Sequence, residues 1–291
     1  MNTNLVIQQL QALFRRLDKK ENNPFRGQAK QLIANAVTRQ EPLQLILFTC
    51  STINSKYMFS KLEPWKYVSL NPLGNNLEAD LPKMVGILKD IQSIYPLTQL
   101  IILIGNTDPY YIYLQQLKDF KPGQRGQVLK KFARRWVLYR NKLEKWIQNT
   151  YALSNVQVVS WYDFEKRIEN KSDESFEDEF NKTLKSITKY FSQQDLDWEY
   201  GKLITHFGTG KYFNNLQRPL KALLKQWIRR KFAEYALQGR WIYEQFPNAI
   251  LLQNEKPSDL RSKMYQPLIY QEYQKQLPVM YFFGVDNEGF Q

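Results

Sequence analysis

A serine stands directly after a strongly apolar segment of the chain. The segment QLILFT, residues 44–49, is followed by Cys50 and Ser51, and then by Asn54 and Ser55. A hydroxyl group at the end of a buried strand can serve as a nucleophile if the turn that follows faces a pocket. In the alternative interpretation, Ser51 and Asn54 only form the strand-to-helix turn and cap the helix. Both interpretations predict a strand that ends near Cys50.

The sequence offers few residues for metal or nucleotide chemistry. It contains one cysteine, Cys50, and one histidine, His206, which excludes an internal disulfide, a cysteine-rich zinc site and a His-cluster metal centre. No serine has the flanking glycines of a nucleophile elbow, so we do not expect a Ser-His-Asp triad around His206. No segment matches GxGxxG or GxxxxGK[ST], and GTGKYF at 208–213 follows no predicted strand. We therefore expect no metal and no cofactor, and we expect the Cys50 thiol to lie in the core.

Positive charge is the main compositional signal. The chain has 41 Lys and Arg residues against 28 Asp and Glu, a formal net charge of +13, which indicates a polyanionic partner, most often nucleic acid. Residues 125–146 hold eight of the cations and one acid, Glu144. On a helix, six of these cations fall within one arc of about 140°. They are Lys130, Lys131, Arg134, Arg135, Lys142 and Lys145.

The opposite side of the same helix is apolar, with Leu143 and Ile147 near its end. We expect this helix, residues 124–149, to pack by its apolar side and to bind a phosphate backbone with its basic side. The alternative is a solvated face without a partner.

Short apolar, β-branched segments alternate with longer helical patterns along the chain. The predicted strands are residues 44–49, 66–70, 99–105, 156–160, 249–253 and 279–283. The predicted helices are residues 4–18, 26–38, 77–94, 110–118, 124–149, 175–192 and 218–245. This alternation predicts an α/β fold with a mostly parallel, Rossmann-like sheet flanked by helices, in which ligands bind at the carboxyl ends of the strands.

No repeat or low-complexity linker divides the chain. We therefore expect one domain over residues 1–291, with a helical N-terminal extension of about 1–40. The apolar runs at 43–50 and 100–105 are far shorter than the roughly 20 residues that span a bilayer. The N-terminal charges follow the apolar stretch, which is the reverse of a secretory signal. We expect a cytoplasmic protein without a membrane partner.

The segment after the first strand resembles the tRNA-dependent cyclodipeptide synthases. Those enzymes have a catalytic serine, two variable residues, Asn-Ser and then an aromatic residue, a pattern that Ser51, Asn54, Ser55 and Tyr57 match. The order of elements agrees with that family over roughly residues 43–284. The resemblance implies a fold similar to the catalytic domain of class I aminoacyl-tRNA synthetases, and an aminoacyl-tRNA as partner.

Later segments extend the resemblance. Residues 124–149 resemble the arginine-rich helix with which the family holds the tRNA acceptor stem. Tyr235, in FAEYALQGRW, resembles an active-site tyrosine on a helix, and Tyr265, in MYQP, resembles a later active-site tyrosine. The resemblance implies that Ser51 becomes aminoacylated, that Tyr235 holds the substrate amine and moves its proton, and that Tyr265 orients the nucleophile. The implied substrate-binding positions are Asn54, Ser55, Tyr57 and Gly239.

One position departs from the family pattern. Four residues after the helical tyrosine the family has an essential glutamate, where this chain has Gly239. Glu234 and Glu244 lie nearby in sequence, but neither is an obvious substitute on a helix. We expect Gly239→Glu to leave folding intact if the helix face there borders an open pocket.

Two other functions remain open. The isocyanide synthases, which join an amino acid to a sugar phosphate without tRNA, have a helix that ends in Tyr-Pro and a later FP-x-A strand. Tyr95-Pro96 and FPNAILL at 246–252 resemble these features. The other possibility is a non-catalytic basic RNA-binding protein in which Ser51 is only a turn residue.

Overall fold

The computed structural model describes residues 2–18, 22–51, 68–69, 77–105, 140–153, 155–160, 176–197, 201, 218–253 and 263–281. Its strands are β1 (Gln44–Ser51), β2 (Val68–Ser69), β3 (Gln99–Gly105), β4 (Val156–Ser160), β5 (Ala249–Gln253) and β6 (Val279–Tyr281). Its helices are α1 (Thr3–Leu17), α2 (Arg26–Arg39), α3 (Leu77–Ile94), α4 (140–151), α5 (Phe176–Ile187), α6 (Arg218–Gln245) and α7 (Pro267–Tyr273), with short helical turns at Thr188–Tyr190, 193–197 and 263–265. Among these described helices, none is both long enough and apolar enough to cross a bilayer.

Five of the described strands form a parallel sheet in the order β4-β3-β1-β5-β6, and β2 pairs with β1 in the antiparallel direction. The predicted α/β, Rossmann-like fold with a mostly parallel sheet is therefore confirmed. The chain runs outward from β1 to β3 and β4, and then returns to the other side of β1 for β5 and β6. The strand order reverses between β1 and β5, which makes this position the topological switch point of the sheet.

The central strands are almost continuously apolar because both of their faces are buried. Leu45 and Leu47 of β1 belong to the core that the sheet shares with α1 to α4, whereas the intervening Ile46 is buried outside that core cluster. This alternation is the period-two pattern of a strand. The helices contribute buried side chains to the same core, including Leu10, Phe14, Ile33, Leu88 and Leu143. The predicted N-terminal extension is thus an integral part of the sheet's helical layer.

Local signals in the sequence define the first two helices. Asn2 caps α1, since its Oδ1 accepts hydrogen bonds from the backbone N–H groups of Asn4 and Leu5 at 3.1 and 3.4 Å. The apolar spacing of α1 then buries one side of the helix against α2 and α3. The second helix ends where Gln40 adopts the left-handed conformation, with φ of 55°.

The described fold is composed of two compact units. The first unit comprises Met1–Phe164, Phe246–Pro257 and Pro278–Gln291, and it contains all six described strands. The second comprises Glu165–Gln245 and Ser258–Leu277, and it contains α5, α6 and α7. Each unit is built from separate segments because the chain returns to the sheet for β5 and again for β6. No linker composition marks such a division.

Both edge strands of the sheet have a backbone N–H group bound to a carboxylate. On β6, the Tyr281 N–H donates to Asp18 Oδ1 at 3.3 Å. On β4, the Val158 N–H donates to Glu144 Oε2 at 3.1 Å. Unpaired groups on an edge strand can pair with the strands of other chains. The two carboxylates thus protect the edges of the sheet.

The Asp18 contact yields a prediction about stability. The Asp18 side chain has no exposed surface, and besides the Tyr281 N–H it binds the Arg26 guanidinium at 3.0 Å and Asn23 Nδ2 at 3.1 Å. Removal of a buried carboxylate leaves these donors without their acceptor, which lowers the free energy of unfolding by roughly 3–5 kcal/mol. Because the Arg26 side chain is 27% exposed, we expect Asp18→Ala to lower the free energy of unfolding by about 3 kcal/mol.

Urea denaturation checks this expectation. Asp90→Ala is the matched control because Asp90 is exposed on α3, and it should change the free energy of unfolding by less than about 0.5 kcal/mol. Equal denaturation midpoints for the two variants would contradict the structural role of Asp18.

Candidate functional site

Ser51 is the last residue of β1 and lies beside the switch point. β5 pairs with β1 only as far as Leu47, whereas β3 pairs with it as far as Cys50. Beyond the end of β5, β2 pairs with β1 at Ser51. Doubly wound sheets bind ligands outside the carboxyl ends of their strands at this point. The predicted end of β1 near Cys50 is therefore confirmed. In folds of this class, ligands bind at this end of the sheet.

The described part of the basic helix has the predicted two-sided character. Leu143 and Ile147 of α4 are fully buried in the core of the sheet. Lys142 and Lys145 are exposed on the other side. Among the described residues, no carboxylate forms an ion pair with either lysine. Glu144, the one acid of the basic stretch, instead binds the Val158 N–H. The two lysines therefore present uncompensated charge to solvent.

Seven of the predicted site residues lie outside the part of the chain that the structure describes. They are Asn54, Ser55, Tyr57, Lys130, Lys131, Arg134 and Arg135. Their predicted roles stay predictions.

The second unit brings Tyr235 and Tyr265 together. Their ring centroids are 5.1 Å apart and the ring planes meet at 72°, an edge-to-face arrangement. Tyr265 is 1% exposed, whereas Tyr235 is half-buried. Two residues that are 30 positions apart in the sequence, and that the resemblance assigns to one active site, are thus neighbours. A purely structural role for the two tyrosines predicts the same ring contact.

Gly239 packs directly against the backbone of Tyr265. A Cβ atom at position 239 would overlap the Tyr265 carbonyl oxygen and would lie 2.7 Å from its carbonyl carbon. The residue is buried, so this face of α6 does not border an open pocket. The condition under which we expected Gly239→Glu to be tolerated is therefore not met. Gly239 leaves room for the segment that carries Tyr265, and a carboxylate side chain does not fit there.

Glu244, considered from the sequence as a substitute for the family glutamate, binds a different tyrosine. Its Oε1 accepts a hydrogen bond from the Tyr273 hydroxyl at 2.7 Å. Burial, this hydrogen bond and the negative charge of Glu244 together raise the pKa of Tyr273 to about 12. Tyr273 also packs against Tyr243, with ring centroids 4.9 Å apart. Glu244 thus belongs to a contact between α6 and α7.

A second charged contact on α6 is centred on Arg240. Arg240 donates to Glu179 of α5, and its Nη1 donates to Glu272 of α7 at 3.1 Å. One guanidinium therefore links three helices of the second unit. No sequence pattern could identify this cluster, because the two acids lie 61 and 32 residues from Arg240.

Tyr95, which suggested the isocyanide synthases, has a structural role. It is 7% exposed, and its hydroxyl donates to the carbonyl oxygens of Ala36 at 3.1 Å and Glu41 at 2.7 Å. Burial and the negative charge of Glu41 raise the pKa of the Tyr95 hydroxyl. These bonds attach the end of α3 to the end of α2. The two hydrogen bonds give Tyr95 a structural role that does not involve a substrate.

Within the described ranges, no three His, Cys, Asp or Glu side chains are grouped in a way that could hold a metal ion. Comparison with protein-family models, curated proteins and solved structures finds no match for this chain. A function therefore has to be inferred from the chain's own residues.

Proposed function

We propose that this protein is an acyl transferase that takes an aminoacyl group from aminoacyl-tRNA onto Ser51 and forms a cyclodipeptide or a related aminoacyl product. The observation that carries the proposal is the position of Ser51 as the last residue of β1, at the switch point of a parallel sheet. The Ser-x-x-Asn-Ser spacing and the net charge of +13 support it.

The first chemical step needs little assistance from the protein because an aminoacyl ester is already activated. The Ser51 oxygen attacks the ester carbonyl, a new ester forms on the serine, and the bond to the terminal ribose oxygen of the tRNA breaks. That ribose oxygen takes up the proton that the serine releases. The step requires neither a cofactor nor a redox partner. It is therefore compatible with a chain that has a single histidine, His206.

The second step transfers the acyl group to an amine. In our proposal the amine of a second aminoacyl-tRNA attacks the ester on Ser51, so that a peptide bond forms, the Ser51 hydroxyl is released and the dipeptidyl group stays on the second tRNA. The free amine of the dipeptidyl group then attacks its own ester, which closes the ring and releases the ribose hydroxyl of that tRNA. The Tyr235 hydroxyl binds the amine and takes part in its proton transfer. Because the family's glutamate is replaced by Gly239, which packs against backbone, this relay lacks a carboxylate at that position. Slow transfer, or transfer to another acceptor, is the expected consequence.

A non-catalytic RNA-binding protein is the second candidate. The exposed and uncompensated Lys142 and Lys145 favour it, since phosphate binding by a basic surface does not require Ser51. The two candidates share RNA as a partner and differ in whether the acyl group leaves the tRNA.

Tyr235→Phe tests the proposed second step. Removal of one acid-base group lowers turnover by about 10², so we expect a loss of this size in product formation. The fold should be unchanged, since the ring that contacts Tyr265 is retained. Steady-state product formation, measured by mass spectrometry, checks the expectation.

Tyr243→Phe is the matched control for this experiment. Tyr243 lies two turns further along α6, is also half-buried and contacts Tyr273 instead. It should keep wild-type turnover. If Tyr235→Phe forms product at the wild-type rate, Tyr235 is a packing residue only.

The overall proposal is tested by incubation of the purified protein with a mixture of charged tRNAs, followed by mass spectrometry of small products. Uncharged tRNA and free amino acids with a sugar phosphate serve as parallel reactions. Product from charged tRNA alone supports the acyl transferase. Product from the free amino acid identifies an isocyanide synthase-like enzyme, and RNA binding without product supports the non-catalytic function.

A further inference from the structure

A small surface depression, the α1–α2 cleft, lies where α1 packs against α2 in the first unit. The two helices pack against each other, and Gln11 Nε2 donates to the Lys30 carbonyl oxygen at 3.1 Å. Phe14 and Ile33 form part of the apolar floor of the cleft. Arg15, Arg26 and Lys30 also line it. Three cationic residues from two helices therefore lie beside one apolar depression.

The charge of these three residues is only partly neutralised. Among the described residues, Asp18 is the one carboxylate bound to them, and it pairs with Arg26 while its side chain is fully buried. Arg15 and Lys30 are both exposed. Among the described residues, no carboxylate pairs with either of them. Exposed cations without partners attract polyanions and release the counterions of the polyanion when they bind.

The cleft lies in the same helical layer as the basic surface of α4. Buried residues of α1, α2, α3 and α4 share one core on one face of the sheet. α2 packs beside β6, which is one edge of the sheet, and α4 leads directly into β4, which is the other edge. Four strand spacings of about 4.8 Å separate these edges, which gives roughly 19 Å. One RNA molecule can span that distance.

We propose that Arg15, Lys30 and Arg26 around the α1–α2 cleft form a second phosphate-binding surface that holds the same RNA as α4. This inference rests on the proposed function, because it takes RNA as the polyanion. The sequence predicts RNA binding mainly through the basic stripe at 130–145, so this surface is an addition to that prediction. The recognition is by charge and has no base specificity, since contacts to phosphate carry no sequence information.

Salt-dependent binding of unfractionated tRNA tests the proposal. We compare the wild type with three double variants, each of which removes two charges. They are Arg15→Gln with Lys30→Gln for the cleft, Lys142→Gln with Lys145→Gln for α4, and Lys185→Gln with Lys189→Gln as the control from exposed sites of the second unit. Arg26 is retained because it binds the buried Asp18.

Loss of two phosphate contacts reduces the slope of log affinity against log salt by about 1.4 to 1.8, which corresponds to a loss of roughly 10- to 30-fold at physiological salt. We expect this change for both the cleft variant and the α4 variant. The control variant should stay within about twofold of the wild type. Circular dichroism of each variant confirms that the helices are retained.

The outcomes separate this proposal from the proposed function. If the α4 variant loses affinity and the cleft variant keeps the wild-type slope, the second surface does not exist but RNA binding stands. If the wild type itself does not bind tRNA, the proposed function fails and the cleft proposal fails with it. If the cleft variant loses binding to phosphatidylserine vesicles and keeps its tRNA slope, the cleft is a lipid-binding surface and our proposal is wrong.

Discussion

Replacing Gly239 with alanine is expected to lower the free energy of unfolding by about 2 kcal/mol or more. The added Cβ would overlap the Tyr265 carbonyl oxygen, and overpacking of a buried site typically costs about 1–3 kcal/mol, or more when backbone has to move. Alanine gains about 1 kcal/mol over glycine in helix propensity, which is too little to offset this cost. Urea denaturation followed by far-ultraviolet circular dichroism measures the effect, because α6 contributes 28 helical residues.

Gly86→Ala is the matched control for this prediction. Gly86 also lies inside a long helix, α3, but it is exposed and a Cβ there would meet no atom within 4 Å. The substitution should therefore raise the free energy of unfolding by roughly 0.5–1 kcal/mol. If Gly239→Ala is as stable as Gly86→Ala, the close approach of α6 to the Tyr265 backbone is wrong.

The same contact leaves no room at position 239 for the glutamate that the cyclodipeptide synthase pattern has there. A glutamate there would need more room than the alanine that already overlaps Tyr265. We therefore expect Gly239→Glu to destabilise the second unit at least as strongly, and not to restore a proton relay beside Tyr235. An active site of the proposed kind in this chain must operate without a carboxylate at this position.

Ser51→Ala is expected to reduce product formation from aminoacyl-tRNA by about 10⁴ or more. Loss of a covalent nucleophile removes the acyl-enzyme and the whole route that depends on it. Binding of tRNA should stay within about twofold of the wild type, because serine carries no charge to neutralise a phosphate. Product formation under multiple turnover and equilibrium tRNA binding are the two measurements.

Ser160→Ala is the control that isolates the switch point. Ser160 ends β4 as Ser51 ends β1, so each serine follows a parallel strand at its carboxyl end. β4, however, is an edge strand and lies two positions away from β1 in the sheet. Ser160→Ala should keep wild-type turnover. Equal turnover of the two alanine variants would mean that Ser51 is only a turn residue.

Much of the fold was predictable because its elements have strong local signals. The buried central strands are short and nearly all apolar, and the predicted limits of β3, β4 and β5 agree with the structure. The predicted limits of α3 and α6 also agree. Parallel pairing followed from the alternation of strands with helices. The end of β1, and therefore the position of Ser51, was predictable for the same reason.

Contacts between distant residues were not predictable. The bond from Tyr281 to Asp18 joins residues 263 positions apart, and nothing in the local sequence of either indicates the other. The close contact of Gly239 with Tyr265 is a second example. A glycine inside a helix does not indicate, from the sequence alone, which residue packs against it.

The second basic surface was missed for a related reason. The cations of residues 125–146 fall in one predicted helix, so their predicted arrangement follows from helical periodicity. Arg15 and Lys30 lie on different helices, and only the packing of α1 against α2 brings them to one cleft. Charge that is assembled by tertiary structure leaves no periodic pattern in the sequence.

Trapping of the acyl-enzyme tests the central claim most directly. The protein is mixed with tRNA that carries a radiolabelled amino acid, quenched in acid, and separated from RNA under denaturing conditions. We predict a covalent label on the wild type and on Ser160→Ala, no label on Ser51→Ala, and a labelled peptide that contains Ser51. A wild type that carries no label, or a Ser51→Ala variant that is labelled equally, would contradict the account.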